Sequence, residues 1–442
     1  MSSRHKENAT LIRGVGGIGV ALLALNSMIG AGIFALPAAV AAKAGDPSHW
    51  LFLGIGLMFI TIVLSFAELS SYFKTSGGPI LYTATAFGPV VGFGTGWMFY
   101  VSRATAFAAN ITVMATYLGA IWPWFVTDEG RVLFILATTA ALTTANYVGV
   151  KDGIRTIALF TFFKLVPMVL LILTGLKEVT GDTLLPSHFP AIDDLGGLVL
   201  LTIYAFVGFE GATTVSGETR NPQRTMPRSL ILTVIAVALL YFLIVLVFVS
   251  VLPAGERAGS TLVDVGRRLA GDWGALIIGI AAVFSIGGNL AANMLAAPRL
   301  TFALGELQML PAWFSTVHPR YFTPGNSVLM LGGLCLVLAL SGSFEFLAAA
   351  SSLTRLITYV LCFASLPAIR RNATPEEKAN AFRLKGGYAI PLTAFLLCLW
   401  IGSHASLNAW LVTGGLLAFG FVLYQIAQKQ IRATTPFPPS TP

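Results

Sequence analysis

Apolar residues run through this chain in long blocks separated by short polar turns. The blocks lie near 15–42, 48–73, 89–120, 131–149, 153–176, 194–217, 228–252, 273–304, 326–342, 345–369, 388–403 and 406–430. A helix needs about 20 mostly apolar residues to cross hydrocarbon, so the pattern predicts about twelve transmembrane helices. Turns such as Lys151-Asp152-Gly153 separate neighbouring blocks. Two connections are longer. Segment 253–272, with Leu262, Val265 and Leu269 beside Arg267 and Arg268, predicts a short amphipathic helix on the outer surface. Segment 370–387 is basic and contains Thr374-Pro375-Glu376-Glu377, a helix-start pattern on the cytoplasmic side.

Two blocks carry glycine where a plain anchor needs none. The first reads Asn26-Ser27-Met28-Ile29-Gly30-Ala31-Gly32-Ile33-Phe34, with Pro37 one turn on; the sixth reads Tyr204-Ala205-Phe206-Val207-Gly208-Phe209-Glu210-Gly211. Such glycines either let helices pack closely or interrupt the helix beside a binding site. Their placement five spans apart favours interruption. An odd offset reverses the direction of the second half, as an inverted repeat requires.

Composition changes the picture by naming the solvent. Of 442 residues, 56% are hydrophobic and 10% charged, against about 25% charged in soluble domains. That much apolar surface belongs in lipid, and no room remains for a soluble domain. The net charge of +8 reports topology rather than nucleic acid. Basic residues outside the spans concentrate in alternate connections, among them Arg4, Lys6, Arg13, Lys74, Lys151, Arg220, Arg224, Arg299, Arg370 and Arg371. The opposite set holds Lys43, Arg131, Lys177, Arg257, Arg267 and Arg268, together with the acids Asp128, Glu129, Asp182, Asp193 and Asp194. The positive-inside rule then puts both termini in the cytoplasm. The first apolar run is too long for a cleaved signal and is expected to stay attached as span one. Cys335, Cys362 and Cys398 fall inside predicted spans and form no disulfide framework.

At these motifs the chain resembles the amino acid–polyamine–organocation (APC) superfamily of amino acid permeases. Ile29-Gly30-Ala31-Gly32-Ile33-Phe34 is similar to the first-span signature. Ala67-Glu68-Leu69, Ser76-Gly77-Gly78-Pro79, Phe87-Gly88-Pro89 and Gly96-Trp97 resemble the second span and the entry to the third. Phe206 to Glu210, then Glu218, Asn221-Pro222 and Pro227, look like the sixth span and its exit; Arg299 with Leu310-Pro311 resembles the end of the eighth. The resemblance covers nearly the whole chain. It implies an all-α membrane protein of the LeuT-type five-plus-five inverted repeat, with helices one and six broken and two extra helices. The repeats would be 15–176 and 194–369, followed by spans at 388–430, with cytoplasmic ends at 1–14 and 431–442.

The resemblance implies a substrate held at the bilayer midplane between the breaks, and the physics agrees. Backbone unwound in a membrane is tolerated only beside a cavity. Free N–H groups and the positive helix end near Gly30 suit a carboxylate; freed carbonyls near Val207 suit an ammonium. An α-amino acid satisfies both. By position, Ala31 and Gly32 would donate to the carboxylate, and the carbonyls of Met28, Tyr204, Ala205 and Val207 would accept from the amine. Relatives often place Ser or Thr where this chain has Ala31, so backbone contacts stand alone here. The candidate substrate site comprises Met28, Ile29, Gly30, Ala31, Gly32, Tyr204, Ala205, Phe206, Val207, Gly208 and Asn293.

Lys164, in Phe162-Phe163-Lys164-Leu165-Val166-Pro167, is an intramembrane cation and a functional candidate by default. The resemblance implies that it fills the place where sodium-coupled members of the wider fold bind an ion between spans one and eight. Desolvation favours its neutral form while freed carbonyls favour the ammonium, so it either couples transport to protons or stays a fixed brace. Glu210 senses pH or links spans. Arg103 is its candidate partner, or else faces a water-filled vestibule; with Arg355 it argues against a strongly cationic substrate. Ser285, Asn289 and Asn293 recur every four residues and share one helix face, lining the pathway or bonding between helices. Tyr204 is either an aromatic gate or a packed ring. The coupling candidates are Lys164, Ser285, Glu210 and Arg103.

The leading expectation is a sodium-independent, proton-coupled amino acid transporter of a bacterial inner membrane, working by alternating access. Its rivals are an obligate exchanger, a non-transporting amino acid sensor and, most distantly, a membrane enzyme. No metal-ligand cluster and no nucleotide-binding motif stands in the sequence; His5, His49, His188, His318 and His404 all fall outside or at the ends of spans. The expected partners are an amino acid, a proton and the bilayer, with no cofactor and no nucleic acid. The sequence leaves the oligomeric state open.

Overall fold

A computed structural model describes residues 16–73, 77–149, 154–185, 192–213 and 219–434. Ser76, the turn at Lys151-Asp152-Gly153, His188, Glu218, the N-terminal segment and the last residues of the C-terminal tail lie outside the described residues.

In chain order the α-helices are α1 (Gly17–Met28), α2 (Gly32–Ala44), α3 (Ser48–Ser71), α4 (Pro79–Phe87), α5 (Pro89–Gly119), α6 (Asp128–Val148), α7 (Ile154–Gly175), α8 (Gly181–Leu184) and α9 (Ile192–Ile203). They continue with α10 (Glu210–Thr213), α11 (Pro222–Val251), α12 (Leu262–Glu306), α13 (Gly325–Ser341), α14 (Phe344–Asn372), α15 (Pro375–Asn380), α16 (Ala389–Ser403) and α17 (Leu407–Thr434). Helix is what lipid demands, because each backbone N–H and C=O must then be satisfied within its own segment.

Among the described residues, seven helices are long and apolar enough to cross a membrane alone, and the pair α1–α2, bent by 48°, makes an eighth. Two more, α13 and α16, are apolar but shorter. Helix α5 is long enough at 31 residues, yet it packs against α4, α12, α13 and α14. Surrounded by protein rather than lipid, it can carry Ser102, Arg103, Thr105 and Asn110.

The longer connections fold as helices. Residues from Leu262 form a short helix that turns at Ala270 and Gly271 into the long arm of α12, Gly271 taking φ 60°. Gly266 and Gly274 meet across this turn, where a Cβ on Gly266 would lie 2.6 Å from the Gly274 carbonyl oxygen. Thr374 caps α15 with a reciprocal Glu377 contact. The short α4 is absent from the hydropathy reading. Its punctuation is legible afterwards: Gly78 at φ 51° precedes Pro79, and Gly88 at φ 88° follows Phe87.

Arg370, near the end of α14, makes a bidentate pair with fully buried Glu68 of α3, both contacts at 2.8 Å. Leu384 N–H donates to the same carboxylate at 3.2 Å and the Gly387 carbonyl accepts from Arg370 at 2.8 Å. Together these fasten the 381–388 connection beneath α3 and α14.

Candidate functional site

The first span stops at Met28 and restarts at Gly32, and the carbonyls that end α1 all find donors. Leu25 O accepts from Ile29 N at 2.9 Å. Asn26 O accepts from Lys164 Nζ at 3.4 Å, and Ser27 O from Asn289 Nδ2 at 3.2 Å. Met28 O accepts from Gly30 N at 3.0 Å and from the Tyr241 hydroxyl at 3.5 Å. Ile29 O takes Lys164 Nζ at 2.9 Å and Ser285 Oγ at 3.2 Å. A fully buried ammonium thus closes the negative end of α1.

The restart is met differently. Ala31 N–H donates to Asn110 Oδ1 at 3.3 Å. The next two N–H groups, of Gly32 and Ile33, have no protein acceptor among the described residues, as expected of a helix start that faces an open site.

The second break spans 204–209, between α9 and α10. Gly208 has φ 119°, and a Cβ there would strike the Ser27 carbonyl oxygen. Glycine is required on both counts. The Tyr241 hydroxyl donates to Ala205 O at 3.1 Å and also reaches Met28 O, so one side chain ties the two breaks together. The carbonyls of Tyr204 and Val207 have no donor among the described residues. Fully buried Glu210 accepts from Gly208 N and from the Tyr359 hydroxyl, each at 3.0 Å, and pairs with Arg355 at 2.9 Å.

Between the breaks lies a cavity of about 30 Å³, room for about two waters. Three amides hold its wall in one network. Asn110 Nδ2 and Asn293 Nδ2 both donate to Asn289 Oδ1, at 2.7 and 2.8 Å. The Tyr204 hydroxyl donates to Asn110 Oδ1 at 2.8 Å, and Arg103 Nη1 to Asn293 Oδ1 at 3.1 Å. Side chains of both α5 and α12 therefore reach the first break, and Asn110 of α5 also reaches Tyr204 at the second.

Of the residues expected from sequence, Met28, Gly30, Ala31, Gly32, Tyr204, Val207, Gly208, Asn293 and Arg103 line this cavity. Ile29, Ala205 and Phe206 lie behind it: the first two turn their carbonyls to Lys164 and Tyr241, and the Phe206 ring packs on Phe59 and Tyr241. Lys164, Ser285 and Glu210 also sit behind the wall, holding the breaks rather than facing the cavity.

Two expectations are corrected. The ion-pair partner of Glu210 is Arg355, not Arg103, because the long α14 side chain reaches the carboxylate that Gly208 N–H fixes. The Ala31 N–H is already taken by Asn110, which leaves Gly32 and Ile33 to offer donors. Asn110 itself was missed. Its signal is spacing: it follows Arg103 by seven residues on α5, two turns along the same helix face.

Helices of membrane-crossing length, one of them opened at a break that faces a second break across a small polar cavity, define a membrane-embedded carrier. The chain belongs to the amino acid permease family of the APC superfamily, whose family model, described as amino acid permease, matches residues 15–435. It is 29% identical to the serine/threonine exchanger of Bacillus subtilis, over 92% of this chain and 93% of that protein. The methylthioribose transporter of the same organism is 25% identical, over 97% and 96% of the two chains. Its branched-chain amino acid permease is also 25% identical, over 89% and 88%.

Proposed function

We propose that the protein is a sodium-independent secondary transporter of amino acids that works by alternating access, coupled to protons through Lys164. The observation that carries the reading is the Lys164 ammonium at 2.9 Å from Ile29 O and 3.4 Å from Asn26 O, with Ser285 on the same carbonyl. Carbonyls freed at a helix break are where a transported cation would sit, and here a covalently attached cation occupies them. The substrate's carboxylate would meet the Gly32 and Ile33 N–H groups, and its ammonium the Tyr204 and Val207 carbonyls. In this reading the chain has twelve spans, arranged as inverted repeats over 15–176 and 194–369, in a cell inner membrane with both termini cytoplasmic. It is a carrier and not an enzyme.

Proteoliposomes test it. Replacing sodium by potassium or choline should leave uptake unchanged, and an inward proton gradient should accelerate it until a protonophore is added. Steep sodium dependence would reject the assignment of Lys164. A second reading, obligate exchange, draws support from the exchanger among the relatives and from the two bonds that hold Lys164 in place. Free exchange of internal for external amino acid, with no proton-driven accumulation, would select it.

A further inference from the structure

The cavity wall carries a positive charge that the described residues do not balance. Among the described residues its lining includes two guanidiniums, Arg103 and Arg355, and no acid. Glu210 stands behind the wall, and its oxygens are committed: one to Arg355 at 2.9 Å, the other to the Tyr359 hydroxyl and Gly208 N–H at 3.0 Å each. Arg355 is thereby matched and Arg103 is not.

The groups in direct contact with Arg103 are uncharged, and Glu210 and Arg355 act on it at longer range with opposite signs. Its Nη1 donates to the Asn293 amide at 3.1 Å, and its guanidinium lies 4.8 Å from the centre of the Phe99 ring. Its buried Nε has no partner, and no carboxylate among the described residues lies within ion-pair distance of it. A buried guanidinium is ordinarily paired, because the low dielectric makes an isolated charge costly. The zwitterionic part of an amino acid cannot supply the missing charge. Its carboxylate and ammonium are both matched at the two breaks, and together they add nothing to the balance.

We infer that the substrate is an acidic amino acid whose side-chain carboxylate pairs with Arg103. The inference rests on the amino acid reading above and names the substrate class of the same site. The guanidinium presents parallel N–H groups that fit a carboxylate with two bonds. Asn293, itself held by Asn289 at 2.8 Å, fixes Arg103 Nη1 in the cavity wall. A third charge on the substrate then neutralises the wall and is bound along with the two ends of the zwitterion.

Binding of aspartate, glutamate, asparagine, glutamine and serine to the full-length protein in detergent, by calorimetry and thermal shift, tests this. The acids should bind at least about tenfold more tightly than their amides, the range expected for a charge-assisted pair. Arg103→Gln should erase that ratio, and Arg103→Lys should keep a reduced preference. Equal binding of acids and amides by the wild type overturns the inference, and that comparison needs no variant to fold. Arg103→Gln weakening every amino acid alike also overturns it, because Arg103 would then hold the common carboxylate. Neutral amino acids bound without acid preference leave the transport reading intact, whereas binding of no amino acid at all rejects both.

Discussion

Lys164 Nζ stands 2.9 Å from the carbonyl oxygen of Ile29, joining the middle of α7 to the end of α1 across 135 residues of sequence. The contact answers a local problem. An interrupted helix leaves carbonyls that lipid cannot solvate, and a cation brought from another helix satisfies two of them.

Removing the cation should therefore weaken the break itself. In Lys164→Met, Asn26 O loses its donor and Ile29 O keeps Ser285 alone. Each lost charged bond contributes about 1.5–3 kcal/mol, so the unfolding midpoint of the purified protein should fall by several degrees. An unchanged midpoint would show that the brace is not needed.

Glycine at the breaks is a steric requirement with a built-in control. A Cβ on Gly32 would lie 2.7 Å from Ala205 Cα, and one on Gly208 would strike Ser27 O at a φ of 119°. Gly32→Val and Gly208→Ala should abolish uptake while the protein still reaches the membrane. Gly54 has nothing within 4 Å of its Cβ position, and Gly54→Ala should transport normally.

The Glu68–Arg370 pair is almost wholly withdrawn from solvent, with side-chain exposures of 0% and 5%. Breaking such a pair from one side strands a charge and costs about 3–5 kcal/mol. Glu68→Gln should lower the unfolding midpoint sharply, and Glu68→Gln with Arg370→Met should recover part of the loss. A double variant as unstable as the summed single variants would mean that the two residues act independently.

Asn110 joins the two breaks to the α12 amides. It accepts from Ala31 N and the Tyr204 hydroxyl and donates to Asn289. Asn110→Ala leaves the Ala31 N–H without a partner, at about 1–3 kcal/mol for an unsatisfied buried group, while the Tyr204 hydroxyl keeps only the Ala106 carbonyl and Asn289 Oδ1 keeps only Asn293. Substrate binding should weaken roughly tenfold or more. Asn110→Asp keeps the acceptor and should fall between the two in a binding titration.

Helices and breaks were legible along the chain. Lipid selects on apolar length, which is a property of each segment alone, so twelve windows could be read and a helix or broken helix lies over each. The pairs Gly30–Gly32 and Gly208–Gly211 announced the interruptions for the same reason: a missing Cβ is a local fact. Lys164 was conspicuous because an ammonium within an apolar run has no local partner. Which groups meet depends on how distant helices pack. That Glu210 takes Arg355 over Arg103, that Asn110 rather than a substrate caps Ala31, and that Tyr241 bridges Met28 and Ala205 are contacts between helices far apart in the chain. The short α4 and the low hydropathy of α5 belong with them. A helix enclosed by other helices is no longer selected for its affinity to lipid, and its polar residues follow the packing around it.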